Sequence, residues 1–232
     1  MPTAIALKDN IQNSYSEHTK KGPAGGYVFY DCDADNDTGN ADGLISSECG
    51  WRYLEAAPND LRVVSGTPTV DSSANGYAAA GSEYIFGYYR TSTSGSNLYV
   101  NGTTTYSATD CTVTEIGSGE KNTEKLVKAM GTSAYSESSG SGKTPDYAAR
   151  LCSVLSHGGY DDWFLPSKDE LDLMYDNLKA IGIGSFSGNY YWSSSEDSDY
   201  IADYAWLQDF SSGNQYYSSR NNDFYIRPCR AF

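Results

Sequence analysis

The residues of this chain best equipped for chemistry are its carboxylates. Asp31-Cys32-Asp33-Ala34-Asp35-Asn36-Asp37-Thr38-Gly39-Asn40-Ala41-Asp42-Gly43 sets acidic side chains at alternate positions. Calcium takes several oxygen ligands from one curled loop, which makes Asp31, Asp33, Asp35, Asp37 and Asp42 candidate ligands. Asn36 stands at the sixth position, where such loops use glycine, and Asp42 would replace the usual terminal glutamate. The alternative is a solvated acidic insertion. Any calcium here would be structural, and no other cofactor is implied.

Other chemistry is thinly supplied. The two histidines, His18 and His157, are far apart in sequence, which argues against a His-based metal centre or Ser-His catalysis. The five cysteines are Cys32, Cys49, Cys111, Cys152 and Cys229, and none forms a C-x-x-C pair. An odd number cannot pair fully within one chain. Cys32 and Cys49 flank a loop and are disulfide candidates. Cys152 falls on the apolar side of a predicted helix and reads as a buried thiol. No spacing places two carboxylates as an acid–base pair. The expectation is therefore a protein that is not an enzyme.

The remaining asset is tyrosine, of which there are 21, with 23 glycines and much Ser, Thr and Asn. Tyrosine supplies a large, rigid, amphipathic contact at low entropy cost, and it also suits strands. Between 189 and 232 lie 7 Tyr, 8 Ser, 4 Asn and 5 Asp, and no lysine follows Lys179.

The elements that must position these residues are readable. Short strands and long loops are expected from the Gly, Ser, Tyr and Thr content, giving an α+β chain rather than a helical bundle. Residues 1–21 read as a polar arm, and residues 22–232 as one domain with an insertion at about 65–115. Tyr27-Val28-Phe29-Tyr30 is the first strand, and Gly50–Pro58 contains a second. Asn101-Gly102 within Leu98–Tyr106 signals a hairpin, and the insertion reads as built of hairpins. Asn122–Met130 is a short helix. Thr132–Lys143 is a Ser/Gly loop. Thr144-Pro145 opens a helix buried through Ala148, Ala149, Leu151, Cys152 and Leu155, and Gly158 ends it.

Ser167 and Glu170 form a capping box for the next helix, which buries Leu171, Met174, Tyr175 and Leu178 and stops at Gly182. Trp163, Phe164 and Leu165 precede it as a core anchor. Tyr190–Ser194, Ala205–Phe210 and Phe224–Arg227 are the later strands.

The net charge of −14 and the lack of a basic run exclude nucleic acid and anionic membranes as partners. No apolar run approaches the roughly 20 residues that span a bilayer, so no membrane insertion is expected. Met1–Leu7 is too short, and lacks the charged start, for a secretory signal.

Several of these stretches together resemble a known family. They are Gly25–Tyr30, Trp51–Pro58, Ile116–Gly119, Gly158–Tyr175, Tyr191–Glu196, Ala205-Trp206 with Phe210–Gly213, and Ile226–Phe232. The family is the domain first noted at the C-terminus of collagen-like bacterial adhesins. Several of its members are variable proteins diversified by retroelements. The resemblance spans about two thirds of the chain, leaving out residues 65–115 and the Asp31–Asp42 loop.

It implies a C-type lectin fold of the formylglycine-generating-enzyme subtype. Two main helices would pack on a small twisted antiparallel sheet, with the first strand near Val28 beside the last near Ile226. It also implies that the segment after Glu196 displays a varied binding surface. Such retroelements randomise adenines. A template Asn codon can then become Asp, Tyr, Ser, Ile, Phe, Arg, Gly or Ala, but not Trp, Glu, Gln, Lys or Met. Asp197–Tyr204 and Tyr216–Tyr225 lie wholly within the accessible set; Trp192, Glu196, Trp206, Gln208 and Gln215 fall outside it and would be scaffold. The candidate surface comprises Asp197, Asp199, Tyr200, Asp203, Tyr204, Asp209, Asn214, Tyr216, Tyr217, Ser218, Arg220, Asn221, Asn222, Asp223 and Tyr225.

The function so implied is recognition of a protein or other macromolecular ligand, at a virion or cell surface. The alternatives are a calcium-dependent carbohydrate-binding lectin and, more remotely, a formylglycine-generating enzyme. The C-type lectins' Glu-Pro-Asn, Gln-Pro-Asp and Trp-Asn-Asp sugar motifs are absent. For the enzyme only Cys229 lies in the C-terminal region, with no cysteine partner identifiable.

Overall fold

The computed structural model describes residues 20–32, 50–74, 76–77, 83–87, 111–130, 146–199 and 203–232. The calcium candidates Asp33, Asp35, Asp37 and Asp42, the Asn101-Gly102 signal, the Ser/Gly loop and Tyr200 lie outside these residues. Among the described residues the architecture is mixed α+β, with small antiparallel sheets and three helices, matching the three helical stretches read from the residues. The helices are α1 (Gly119–Met130), α2 (Ala148–Ser153) and α3 (Lys168–Asn177). Among the described residues, no helix is long and apolar enough to cross a membrane.

One sheet brings together the first and last strands among the described residues. It is built of β1 (Tyr27–Asp31), β2 (Tyr53–Ala56) and β10 (Cys229–Ala231). The expected neighbouring of first and last strands is not found, because β2 lies between β1 and β10 and pairs with both. Ile226 belongs to no strand; its carbonyl accepts from the Leu61 N–H at 2.9 Å. A register shift in β1 between Val28 and Tyr30 is met by Asn177, whose side-chain amide donates to the Phe29 carbonyl at 2.9 Å.

The second large sheet is β6 (Tyr190–Glu196), β7 (Tyr204–Asp209) and β8 (Gln215–Ser219), with β8 at its edge. Two small pairs complete the set among the described residues. Arg62–Val64 (β3) and Thr67–Thr69 (β4) form a hairpin, whose turn uses the positive φ of Ser65 and Gly66, as a primed turn requires. Tyr84–Ile85 (β5) pairs with Asp223–Phe224 (β9). That pairing brings the insertion back to the core, where Tyr84, Ile85 and Phe86 are buried.

Trp163-Phe164-Leu165 sits at the junction of two apolar clusters. Successive side chains of an extended segment point to opposite sides. Trp163 and Leu165 accordingly enter a cluster with Trp192, Phe86 and Leu151, and Phe164 enters another with Phe29, Leu54 and Phe210. Phe164 and Cys229 exchange backbone hydrogen bonds at 2.8 and 2.9 Å. The Thr123 hydroxyl of α1 accepts from the Leu165 N–H at 3.0 Å.

The capping box at Ser167 and Glu170 is present, and Gly182 ends the short 3₁₀ turn Lys179–Ile181 with φ 80°. Two helix boundaries differ from the sequence expectation. The second helix starts at Ala148 behind Tyr147, whose side chain makes no cap hydrogen bond; Tyr147 is instead buried and bridged to Ile85. It ends at Ser153, and Gly158 lies in the turn closed by His157 and Tyr160. The first helix begins earlier than Asn122, at Gly119, because the Glu170 carboxylate accepts from the Gly117 and Gly119 amides there.

Cys32 is disulfide-bonded, and its partner is not among the described residues. Cys111, Cys152 and Cys229 are buried thiols outside any disulfide, and burial pushes the thiols of Cys152 and Cys229 well up. Because the thiolate is the nucleophile, these three should resist iodoacetamide in the native protein and react once it is denatured. Native-state labelling of Cys229, read by peptide mass, would show instead that β10 opens.

Candidate functional site

The candidate surface is built around the hairpin of β7 and β8. Its turn is set by Asp209, which accepts from the Ser211 amide at 2.8 Å, the Ser211 hydroxyl at 2.6 Å and the Ser212 hydroxyl at 2.8 Å. These bonds hold the Asp209 carboxyl below the usual carboxylate range, although burial acts the other way and is the largest single influence. The hairpin is then tied to α3. Gln208 donates to Asp172 at 2.8 Å and to the Gly213 carbonyl at 2.9 Å, and Gln215 donates to the Lys168 carbonyl at 3.0 Å. Both glutamines therefore act as scaffold.

Tyrosines stand on this frame. Tyr190, Tyr216 and Tyr217 are 43%, 47% and 52% exposed, high values for such large side chains. Tyr216 is registered on Leu207 and Tyr217 on Trp206, so the two rings project from opposite faces of the sheet. Tyr216 meets Tyr190 at 6.4 Å between centroids, and Tyr190 meets Phe224 at 5.6 Å. Tyr217 meets Trp206 at 5.7 Å and Tyr204 at 5.5 Å, and the Lys168 ammonium sits 3.9 Å over the Trp206 ring. The edge strand β8 thus carries an aromatic group on each flank.

Beneath the hairpin lies a buried charge pair. Arg220 Nη1 is 3.0 Å from Glu196 Oε1, with both side chains almost wholly enclosed, and the guanidinium lies 4.9 Å from the Phe86 ring. Glu196 also accepts from the Cys111 amide at 3.3 Å.

The candidate residues accordingly divide. Asp199, Asn214, Tyr216, Tyr217, Asn222 and Asp223 are exposed, while Asp203, Tyr204, Ser218, Asn221 and Tyr225 are partly buried. Asp197, Asp209 and Arg220 are buried, which corrects their place on an open surface. Asp209 organises a turn, Arg220 neutralises Glu196, and Asp197 accepts from the Asp199 amide at 3.0 Å. Tyr190 and Lys168 were not among the candidates. Tyr190 was legible in principle as the outward residue before buried Tyr191 and Trp192, whereas no local signal ties Lys168 to Trp206. Of the calcium candidates only Asp31 is described, and it pairs with Arg52 at 3.2 and 3.3 Å.

Residues 122–230 match the Lcl C-terminal domain. The match runs from within α1 to within β10 and includes the whole tyrosine-bearing hairpin. It leaves out β1 and β2. Yet two arginines inside the Lcl C-terminal domain match find their carboxylates outside it: Arg227 on Asp60 at 2.6 Å and Arg230 on Glu55 at 3.4 Å. The folded unit is therefore larger than the match. The Gly22–Gly26 turn belongs to it as well, since Glu55 accepts from the Gly26 amide at 2.6 Å and a side chain at Gly26 would meet the Ala56 carbonyl. No curated protein matches the chain.

Proposed function

We propose that this chain is a ligand-binding, adhesin-like protein without catalytic activity, in which the β7–β8 hairpin and the turns around it form a diversified surface for protein or other macromolecular targets. The carrying observation is the contrast on that hairpin. Tyr190, Tyr216 and Tyr217 are about half exposed, while Gln208, Gln215 and Glu196 anchor it from below. Exposed tyrosines beside small polar residues supply contact area and adaptable hydrogen bonds.

The Lcl C-terminal domain match supports this reading, since that domain occurs in retroelement-diversified proteins and collagen-like adhesins. A C-type lectin arrangement of the formylglycine-generating-enzyme subtype, and display at a virion or cell surface, are parts of the same proposal.

Two measurements test it. The coding end for 197–225, sequenced across isolates with its flanking DNA, should vary at adenine-derived codons for Tyr216, Tyr217 and Asn222 and stay constant at Arg220. It should lie near an imperfect repeat and a reverse-transcriptase gene. Invariant codons, or variation that falls equally on Arg220, would overturn diversification. Separately, a display library randomised at Tyr190, Tyr216, Tyr217 and Asn222 should yield binders to an arbitrary protein target. In any selected binder, Tyr or Trp reverted to Ala at these positions should weaken binding at least about tenfold with little change in melting temperature. A library that stays folded but yields no binders would sink the site.

A further inference from the structure

Each three-stranded sheet has two outer strands, and among the described residues three of these four outer edges are covered by other backbone. On β1 the Val28 N–H donates to the Lys20 carbonyl at 3.1 Å, and on β10 Cys229 pairs with Phe164. On β6 the Trp192, Ser194 and Glu196 N–H groups donate to the carbonyls of Tyr225, Pro166 and Cys111 at 3.1, 2.7 and 2.8 Å. The fourth edge, that of β8, has no such cover among the described residues.

The phase of hydrogen bonding along β8 follows from the two ends of its ladder. The Asp209 N–H donates to the Asn214 carbonyl at 2.9 Å, and the Arg220 N–H to the Asp203 carbonyl at 3.0 Å. The register between them runs without a shift, and antiparallel pairs alternate between bonded and non-bonded. Tyr216 and Ser218 are therefore the residues bonded to β7. The N–H and C=O of Gln215 and Tyr217, and the N–H of Ser219, point away from it; the Ser219 carbonyl accepts from the Asn222 N–H at 2.9 Å. Exposed edges are commonly blunted by a charge, a proline or a bulge. The five residues Gln215–Ser219 contain none of these.

We propose that β8 receives an extended segment of the ligand protein, which pairs with it as a fourth strand. This rests on the reading of the hairpin as the ligand-binding surface and adds the mode of binding. Outward donors and acceptors at every second residue match an extended backbone. They stay the same whatever side chains β8 carries, so main-chain pairing supplies affinity that diversification leaves intact. Tyr216 on one face and Tyr217 on the other then read alternate side chains of the added strand. A second copy of this chain is the poorer occupant, because it brings a net charge of −14 against the same charge. Asp199 before β7 and Asp223 after β8 are exposed, which favours a segment with lysine or arginine next to its paired residues.

The probe is a capped heptapeptide of alternating valine and threonine with lysine at each end, titrated into the full isotope-labelled chain. Its control is the same peptide N-methylated at its central amides, which keeps the side chains and cannot pair. Amide hydrogen exchange is followed by NMR. In the free chain Tyr216 and Ser218 should exchange slowly, and Gln215, Tyr217 and Ser219 quickly. The peptide should slow the second group at least about tenfold and bind at least about tenfold more tightly than its control. Tyr217→Pro removes one outward donor without touching a β7 bond and should abolish the effect, whereas Tyr217→Ala should keep the alternating protection. If the proline variant does not fold, the exchange pattern and the control peptide decide alone. Equal binding of the N-methylated peptide would overturn strand pairing and leave the tyrosine surface standing. Saturating peptide without protection would also overturn it. Protection that appears without peptide and grows with protein concentration would put a second copy on the edge instead. Pairing undiminished by Tyr216→Ala with Tyr217→Ala would uphold the edge and count against the tyrosines.

Discussion

Replacing Arg227 by methionine is expected to remove about 3–5 kcal/mol of folding stability. The guanidinium is fully buried. It donates through Nε and Nη2 to Asp60 Oδ1 at 2.9 and 2.6 Å, and through Nη1 to the carbonyls of Ala57 at 3.0 Å and Gly184 at 2.8 Å. It also lies 3.8 Å over the Phe186 ring. Methionine fills much of the volume but leaves the Asp60 carboxylate with the Tyr191 hydroxyl, 2.9 Å away, and strands two carbonyls. An uncompensated buried charge costs far more than the pair itself contributes. Urea denaturation monitored by tryptophan fluorescence measures the loss, and a change below about 1 kcal/mol would refute a structural role.

The companion Arg227→Met with Asp60→Leu removes both charges and should be less destabilised than Arg227→Met alone, because the two sites are coupled. Arg227 ties the segment between β9 and β10 to the segment after β2.

Glu170→Ala is expected to cost about 3 kcal/mol, since several buried backbone donors lose their acceptor together. The carboxylate accepts from the Ser167 amide at 2.7 Å, the Gly117 amide at 2.8 Å and the Gly119 amide at 3.4 Å. It stands at the N-termini of both α1 and α3, where negative charge is favoured. Gly119 must be glycine, because a Cβ there would collide with the carboxylate.

Burial outweighs these donors and pushes the Glu170 carboxyl up to about 7 from an ordinary 4.5. The sign follows from linkage. A carboxyl whose folded value is raised binds a proton more tightly in the native state, so its contribution is fully present below about pH 4.5 and is lost as pH rises through about 7. Stability should therefore rise as pH falls across that window, by up to about 3 kcal/mol from this group. Glu170→Gln should flatten that part of the profile. A stability profile of the wild-type protein that is level between pH 8 and pH 5, and unchanged by Glu170→Gln, would show that the donors prevail over burial.

Much of the frame was legible because it is written in local patterns. The capping box of Ser167 and Glu170, the stop at Gly182, the buried face of Ala148, Ala149, Leu151 and Cys152, and the strands around Tyr191 and Trp206 all follow from spacing within a few residues. The division of Glu196, Gln208 and Gln215 from Tyr216 and Tyr217 came from the family resemblance and not from spacing; the first three are hydrogen-bonded or ion-paired to other elements, and the two tyrosines are about half exposed. What stayed hidden was every partnership between distant segments. Arg220 sits in a polar stretch that reads as surface, yet it is buried on Glu196. Asp209 was expected on the binding surface and is a turn organiser. The central place of β2, and the pairing of β5 with β9, needed contacts across much of the chain.

By itself, then, the sequence determined an acidic, tyrosine-rich α+β chain with a capped helix behind a core anchor and a polar, tyrosine-bearing C-terminal segment, because composition and short-range periodicity act on each segment alone. Only the tertiary structure decided which of those polar residues face solvent and which neutralise a buried charge. Burial is a property of what packs against a residue, and for Arg220, Arg227 and Arg230 the carboxylates that make burial tolerable come from elsewhere in the chain.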